Sequence, residues 1–132
     1  SGNIFVSLII ISSVFIYSFE FRKYKNIQYD FLNQLVDIVK ERKLPSVMVR
    51  DYTGILGDVY TFLPPTLTDA MAISGTAIPA DICTPVNVDR KHPLAQRYPI
   101  KSTERCEDLK GLPAGITFIS AYMVDGKIYL KE

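Results

Sequence analysis

The stretch IFVSLIIISSVFIYSFEF, residues 4–21, carries a single charge, at Glu20. A run of this length with so little charge predicts a membrane-spanning helix, because hydrocarbon offers no hydrogen-bond partners and a helix satisfies its own backbone. At about 1.5 Å per residue the run extends about 27 Å, slightly less than a bilayer core of about 30 Å. We therefore interpret residues 1–21 as a membrane anchor in contact with the lipid bilayer.

Two other interpretations of this run remain open, a signal peptide and a buried core helix. No basic residue precedes the run and no small-residue cleavage pattern follows it, which favours a retained anchor. Its serines either line contacts between helices or bond back to their own helix. The side chains predicted to make the membrane or assembly contacts are Ile4, Phe5, Leu8, Ile9, Ile10, Val14, Phe15 and Ile16.

Residues 22–44 continue the helix with an amphipathic pattern. Neither Pro nor Gly interrupts residues 4–43, and Pro45 then ends a single helix of about 40 residues. Apolar residues at helical spacing predict one buried face, which packs on the chain's own domain or partly on other subunits. This amphipathic face consists of Ile27, Phe31, Leu35, Ile38 and Val39.

After Pro45 the pattern becomes that of β-strands. Residues 46–52 and 57–63 are rich in β-branched and aromatic residues and predict a first hairpin, and residues 67–74 predict a short helix. Residues 45–132 are therefore expected to form one small extracytoplasmic domain.

The last hairpin has the strongest turn signal. Residues 116–124 and 127–130 flank Asp125-Gly126, a dipeptide typical of type I′ turns. Both faces of residues 116–124 are largely apolar, which predicts a central strand covered on both sides. The expected fold class is α+β, with the long N-terminal helix packed on a small antiparallel sheet of about four strands.

The two cysteines bracket part of a long polar stretch, residues 75–115, in which the sequence predicts little regular structure. Long loops of this kind are usually functional or held in place. A disulfide between Cys83 and Cys106 would stabilise the domain by about 3 kcal/mol on the chain-entropy estimate. Two buried free thiols are the alternative, and a metal site that adds His92 matches no zinc spacing.

Composition and motifs exclude several functions. The 132 residues carry a net charge of +1, which gives no electrostatic case for nucleic-acid binding. The sequence has no nucleophile elbow, phosphate-binding loop or paired-cysteine motif, and His92, the only histidine, lies in a polar loop. Its acidic residues are scattered and match no calcium-loop spacing. We predict a non-enzymatic protein with no catalytic residues, no metal site and no cofactor.

The order of these parts resembles that of type IV pilins and the related pseudopilins of secretion systems. Those proteins have a long helix, apolar and then amphipathic, followed by an antiparallel sheet and often a disulfide-bounded loop. Phe5 stands where the family usually carries Glu, and Ser1 where it carries an N-methylated residue. The resemblance implies a structural subunit whose apolar half-helices bundle with copies of itself into an extracellular or periplasmic filament, with the Cys83–Cys106 loop on its outside.

The alternative is a single-span accessory subunit of a multi-subunit membrane complex in secretion, the envelope or energy transduction, with its anchor docked on larger membrane subunits. A small ligand-binding or heme-binding domain on a tether is a third possibility.

The sequence gives conflicting indications of the compartment of the domain. Basic residues after the anchor favour a cytoplasmic domain, whereas a disulfide favours an oxidising compartment. We give the disulfide more weight and expect the domain outside the cytoplasm.

Overall fold

Two helices pack on one face of a four-stranded sheet in the computed structural model, which describes residues 2–56, 67–89 and 104–132. Within the first helix, the description of residues 15–21, 23 and 24 covers the backbone alone. The predicted strand at residues 57–63 and the loop histidine, His92, therefore lie outside the described residues.

Helix α1, Gly2–Arg42, is the longest element. It continues without a break because no Pro or Gly occurs between residues 3 and 42. Beyond its end, Lys43 adopts a left-handed backbone conformation with φ 52°, and the Leu44 N–H donates to the Val39 carbonyl at 3.1 Å. This is the bond of a Schellman cap, and Pro45 then prevents the helix from continuing.

The predicted membrane span requires correction. Within the described part of the chain, no helix combines the length and the hydropathy that crossing a bilayer requires. The prediction relied on the whole apolar run of residues 4–21, whereas side chains of the exposed helix are described only for residues 2–14, which are too few to cross a bilayer core. The Ser7 and Ser13 hydroxyls donate to the Asn3 and Ile9 carbonyls, both at 2.8 Å, so these serines bond back to their own helix.

The sheet is mixed, so the predicted antiparallel sheet is wrong. The strand order is β2-β1-β3-β4; β1 runs parallel to both β2 and β3, and only β3 and β4 are antiparallel. The elements that follow α1 are β1 (Val47–Asp51), α2 (Leu67–Ile73), β2 (Ala80–Cys83), a 3₁₀ turn (Cys106–Asp108), β3 (Thr117–Val124) and β4 (Lys127–Lys131).

Long connections explain the parallel pairs. Parallel neighbours need a crossover of a dozen or more residues, which the chain supplies between β1 and β2 and again between β2 and β3. Helix α2, at the position where the sequence predicts a short helix, lies in the first crossover and packs on β2. Strand β2 lies inside residues 75–115, where the sequence predicted little regular structure, because its four residues carry no alternating pattern of useful length.

The hydrophobic core lies between the sheet and the two helices. It is contributed by one side of the sheet and by the inward sides of α1 and α2, as expected for a two-layer arrangement. Its members include Ile27, Phe31, Leu35, Val36 and Val39 of α1, Leu67, Ala70 and Met71 of α2, and Val47, Val49, Ile82, Ile119, Ala121 and Ile128 of the sheet.

The hairpin β3–β4 is confirmed, and its turn residues Asp125 and Gly126 both have positive φ, as a type I′ turn requires. Strand β3 occupies an interior position in the sheet. Only the face with Ile119 and Ala121 is buried, whereas Tyr122 on the other face is exposed. The prediction that both faces are covered is therefore wrong, because the helices pack on one side of the sheet.

The disulfide between Cys83 and Cys106 is confirmed. It joins the end of β2 to the 3₁₀ turn, and both sulfur atoms are consumed in the bond, which excludes the free-thiol and cysteine-metal alternatives. Next to it, the Thr84 N–H donates to the Glu104 carbonyl and the Cys106 N–H donates to the Thr84 carbonyl, both at 3.0 Å. The cystine therefore closes a segment that backbone pairing also holds.

Candidate functional site

The first turns of α1 expose an apolar surface. Every residue from 2 to 14 is exposed, including the large apolar side chains, and we call residues 2–14 the exposed segment. Its predicted assembly residues Ile4, Phe5, Leu8, Ile9, Ile10 and Val14 are between 51% and 67% exposed. Phe15 and Ile16 lie where only the backbone is described.

The second half of α1 behaves differently. Of the predicted amphipathic face, Ile27, Phe31, Leu35 and Val39 are buried in the core and Ile38 packs against it. The structure therefore uses this face within the chain's own domain, where α1 contacts β4 and α2.

One polar residue of α1 pairs with the outer edge of the sheet. The Gln34 side chain donates through Nε2 to the Ile128 carbonyl at 2.8 Å and accepts through Oε1 from the Leu130 N–H at 3.3 Å. A single amide thus takes the place that a neighbouring strand would occupy on β4. Edge strands with free backbone groups invite pairing with another chain, and this contact blocks that pairing.

The opposite edge, on β2, is blocked in a similar way. The Thr68 hydroxyl donates to the Ala80 carbonyl at 2.8 Å and accepts from the Ala80 N–H at 3.2 Å. The Asp81 carboxylate accepts from the Ile82 N–H at 2.8 Å, and the backbone of residues 104–106 pairs with Thr84. The Thr68 hydroxyl therefore joins α2 to β2.

The face of the sheet away from the helices carries aromatic and basic side chains, and we call it the open face. Tyr122 and Tyr129 oppose each other on β3 and β4, and the rings of Tyr52 and Tyr122 are stacked, with centroids 5.0 Å apart. The Arg50 guanidinium lies 4.3 Å from the centre of the Phe118 ring. The apolar character of both faces of residues 116–124 predicted that this face is covered, and nothing in the sequence indicated that both helices pack on the opposite side.

A shallow hollow of about 290 Å³ lies at the end of the open face nearest the cystine. Its lining residues are Arg50, Tyr52, Pro85, Cys106, Glu107 and Phe118. Both carboxylate oxygens of Glu107 accept from the Val86 N–H, at 3.1 and 3.3 Å, so this acid is held against the backbone.

The acidic residues do not gather into a cation site in the described ranges, where no group of three His, Cys, Asp or Glu side chains could hold a metal ion. Asp51, the last residue of β1, is 1% exposed. Its carboxylate accepts from the backbone N–H of Thr53 at 2.9 Å and from the Thr53 hydroxyl. This buried acid shapes the turn that leaves β1.

Comparison with known proteins identifies no relative: no protein-family model matches the chain, and neither a curated protein nor a solved structure is similar to it.

Proposed function

We propose that this chain is a non-enzymatic, pilin-like structural subunit that assembles through the exposed segment of α1 with copies of itself into an extracellular or periplasmic filament. The observation that carries the proposal is the exposure of eight large apolar side chains between residues 4 and 14. Contiguous exposed apolar surface of this kind marks an interaction site.

The distribution of these side chains around the helix favours packing against several neighbouring helices and not against a single one. Residues 8–11 are four consecutive apolar residues, so they point in all directions around the helix. A helix that is apolar all round is one that becomes buried all round. A bundle of such helices at the centre of a filament meets this requirement, whereas a two-helix contact would leave one side exposed.

The blocked sheet edges support the same route of assembly. Gln34 occupies backbone groups at the β4 edge, and Thr68 and Asp81 occupy groups at the β2 edge. Addition of a strand from another subunit would have to break these bonds first. Association through the helix requires no such exchange. The filament form itself draws on the resemblance to type IV pilins, and the disulfide supports an oxidising compartment.

The test is extraction of the full-length chain in mild detergent, followed by electron microscopy and mass spectrometry of the assembled material. We expect filaments that contain this chain alone. Recovery of a discrete particle with unlike chains in fixed ratio would contradict the filament and favour an accessory subunit docked through the same helix.

A pair of variants connects the result to the exposed segment. Ile9→Asp places a charge among the apolar side chains of residues 8–11 and should abolish assembly, while the circular dichroism of the domain stays unchanged. Ile73→Asp is the matched control, because Ile73 is 80% exposed at the end of α2 and should assemble normally. Equal loss of assembly in both variants would show that exposed apolar residues in general, and not α1, drive association.

A further inference from the structure

The open face combines aromatic rings with basic side chains. Because opposed residues in a sheet point to the same side, Lys131 opposite Ser120 and Lys127 opposite Val124 share the face of Tyr122 and Tyr129. Arg50, opposite Ser120 on β1, lies on that face as well. Three cations thus accompany four aromatic rings, those of Tyr52, Phe118, Tyr122 and Tyr129.

Acidic groups also belong to this surface, because Asp81 opposes Met48 on the face of Arg50 and Glu107 lines the hollow together with Arg50. Asp81 is on β2 with its carboxylate on the Ile82 N–H, Glu107 is bound to the Val86 N–H, and Asp125 is in the β3–β4 turn. Among the described residues, Arg50 forms no ion pair. The part of the face built on β1, β3 and β4 is therefore cationic.

Arg50 is arranged to bind an anion. Its guanidinium carbon lies over the Phe118 ring, 4.3 Å from the ring centre, so the aromatic ring supports the cation on one side. A planar guanidinium with free N–H groups pairs well with a carboxylate or sulfate. The hollow beside it, about 290 Å³, is the size of one small ring-shaped group.

We propose that the open face binds an acidic polysaccharide, with an acidic sugar at Arg50 and further sugar rings stacked along Tyr122 and Tyr129. The apolar C–H faces of sugar rings pack against aromatic side chains, and the sugar carboxylates or sulfates pair with Arg50, Lys127 and Lys131. Tyr122 and Tyr129 are 40% and 51% exposed, so their rings are accessible to such a chain.

Single-stranded nucleic acid is another polyanion that stacks on aromatic side chains. Two observations favour the polysaccharide. The net charge of the chain is only +1, whereas nucleic-acid-binding domains are typically strongly basic. The cystine at the hollow is typical of proteins outside the cytoplasm, where acidic polysaccharides are the abundant polyanions.

Titration calorimetry with the full-length chain in mild detergent tests this proposal. The probes are polygalacturonate oligomers, neutral dextran of matched length, and a single-stranded oligothymidine. We expect saturable binding of polygalacturonate that weakens as salt is raised, because surface charge pairs are screened. Dextran and oligothymidine should bind at least tenfold more weakly.

Two variants and one control locate the site. Tyr129→Ala should weaken polygalacturonate binding by roughly tenfold, the upper range for losing one aromatic contact. Arg50→Gln should weaken it at least as much and flatten the salt dependence. Tyr29→Ala is the control, because Tyr29 on α1 is 53% exposed and has Lys25 5.6 Å from its ring centre, a similar pair away from the open face. It should leave binding unchanged.

Several results would overturn the proposal. These are absence of saturable polygalacturonate binding at low salt, equal binding of dextran, tighter binding of oligothymidine, or an equal loss in the Tyr29→Ala variant. Circular dichroism confirms that each variant is folded, and because Tyr129 is exposed, its replacement should not unfold the domain. These outcomes are independent of filament formation, which is read separately by microscopy.

Discussion

The two halves of α1 contain similar kinds of apolar residues, but those of the first half are exposed and those of the second half are buried. In the exposed segment, apolar side chains occur on all sides of the helix and are exposed, whereas Ile27, Phe31, Leu35 and Val39 recur every four residues and are buried. A domain can cover only one face of a helix that passes over it. The comparison shows that the arrangement of apolar residues, more than their number, decides what the chain itself can bury.

The largest expected change in stability comes from replacing a phenylalanine in one half of α1 and comparing it with the same replacement in the other half. Phe31→Ala removes a fully buried ring from the core and should lower the free energy of unfolding by about 3–5 kcal/mol. Phe5→Ala, at a position 67% exposed, should change it by less than about 0.5 kcal/mol. Urea denaturation followed by circular dichroism measures both. Similar losses would mean that the exposed segment also contributes to the domain.

The next largest effect comes from the disulfide. Replacing both Cys83 and Cys106 with Ser should lower the free energy of unfolding by about 3 kcal/mol, since the bond constrains the unfolded chain. Assembly through the exposed segment should survive below the new melting temperature. Thermal denaturation and microscopy give the two readouts, and loss of filaments in a variant that is still folded would link the cystine to assembly.

Gln34 tests whether a polar residue in the second half of α1 also stabilises the domain, through its hydrogen bonds to β4. Gln34→Leu leaves the Ile128 carbonyl and the Leu130 N–H without their partner and should cost about 1–2 kcal/mol. Hydrogen exchange at the Leu130 amide should accelerate. Asn33→Leu, at the exposed neighbouring position, is the control and should leave that amide protected. Unchanged exchange in Gln34→Leu would contradict the role of Gln34 at the sheet edge.

The smallest expected change in stability is at the C-terminal end of α1. Lys43 has a positive φ of 52°, where glycine is free of the strain that a side chain causes, so Lys43→Gly should stabilise the chain by about 1 kcal/mol. Lys40→Gly, inside the helix, should destabilise it by about 1 kcal/mol. Thermal denaturation distinguishes the two, and destabilisation by both would contradict the Schellman cap.

The sequence predicted those features that depend on nearby residues. The absence of Pro and Gly up to Pro45 indicated the continuous helix, Asp125-Gly126 indicated the last hairpin, and the spacing from Ile27 to Val39 indicated a face that the structure buries. The pairing of Cys83 with Cys106 followed from there being only two cysteines. A membrane span was predicted from the length, apolar character and single charge of residues 4–21, and no span is found in the described residues.

Tertiary structure alone decided the features that depend on distant residues. The parallel pairing of β1 with β2 and β3 depends on where the long crossovers return the chain to the sheet. The alternation of apolar and polar residues within a strand does not indicate the direction of its neighbours. The partnership of Gln34 with β4 joins residues more than ninety positions apart. The open face exists because both helices pack on one side of the sheet, which leaves aromatic and basic side chains on the other. Sequence determined which segments become helix or strand, because those choices are local; only packing decided which surfaces remain exposed, because burial depends on what the rest of the chain covers.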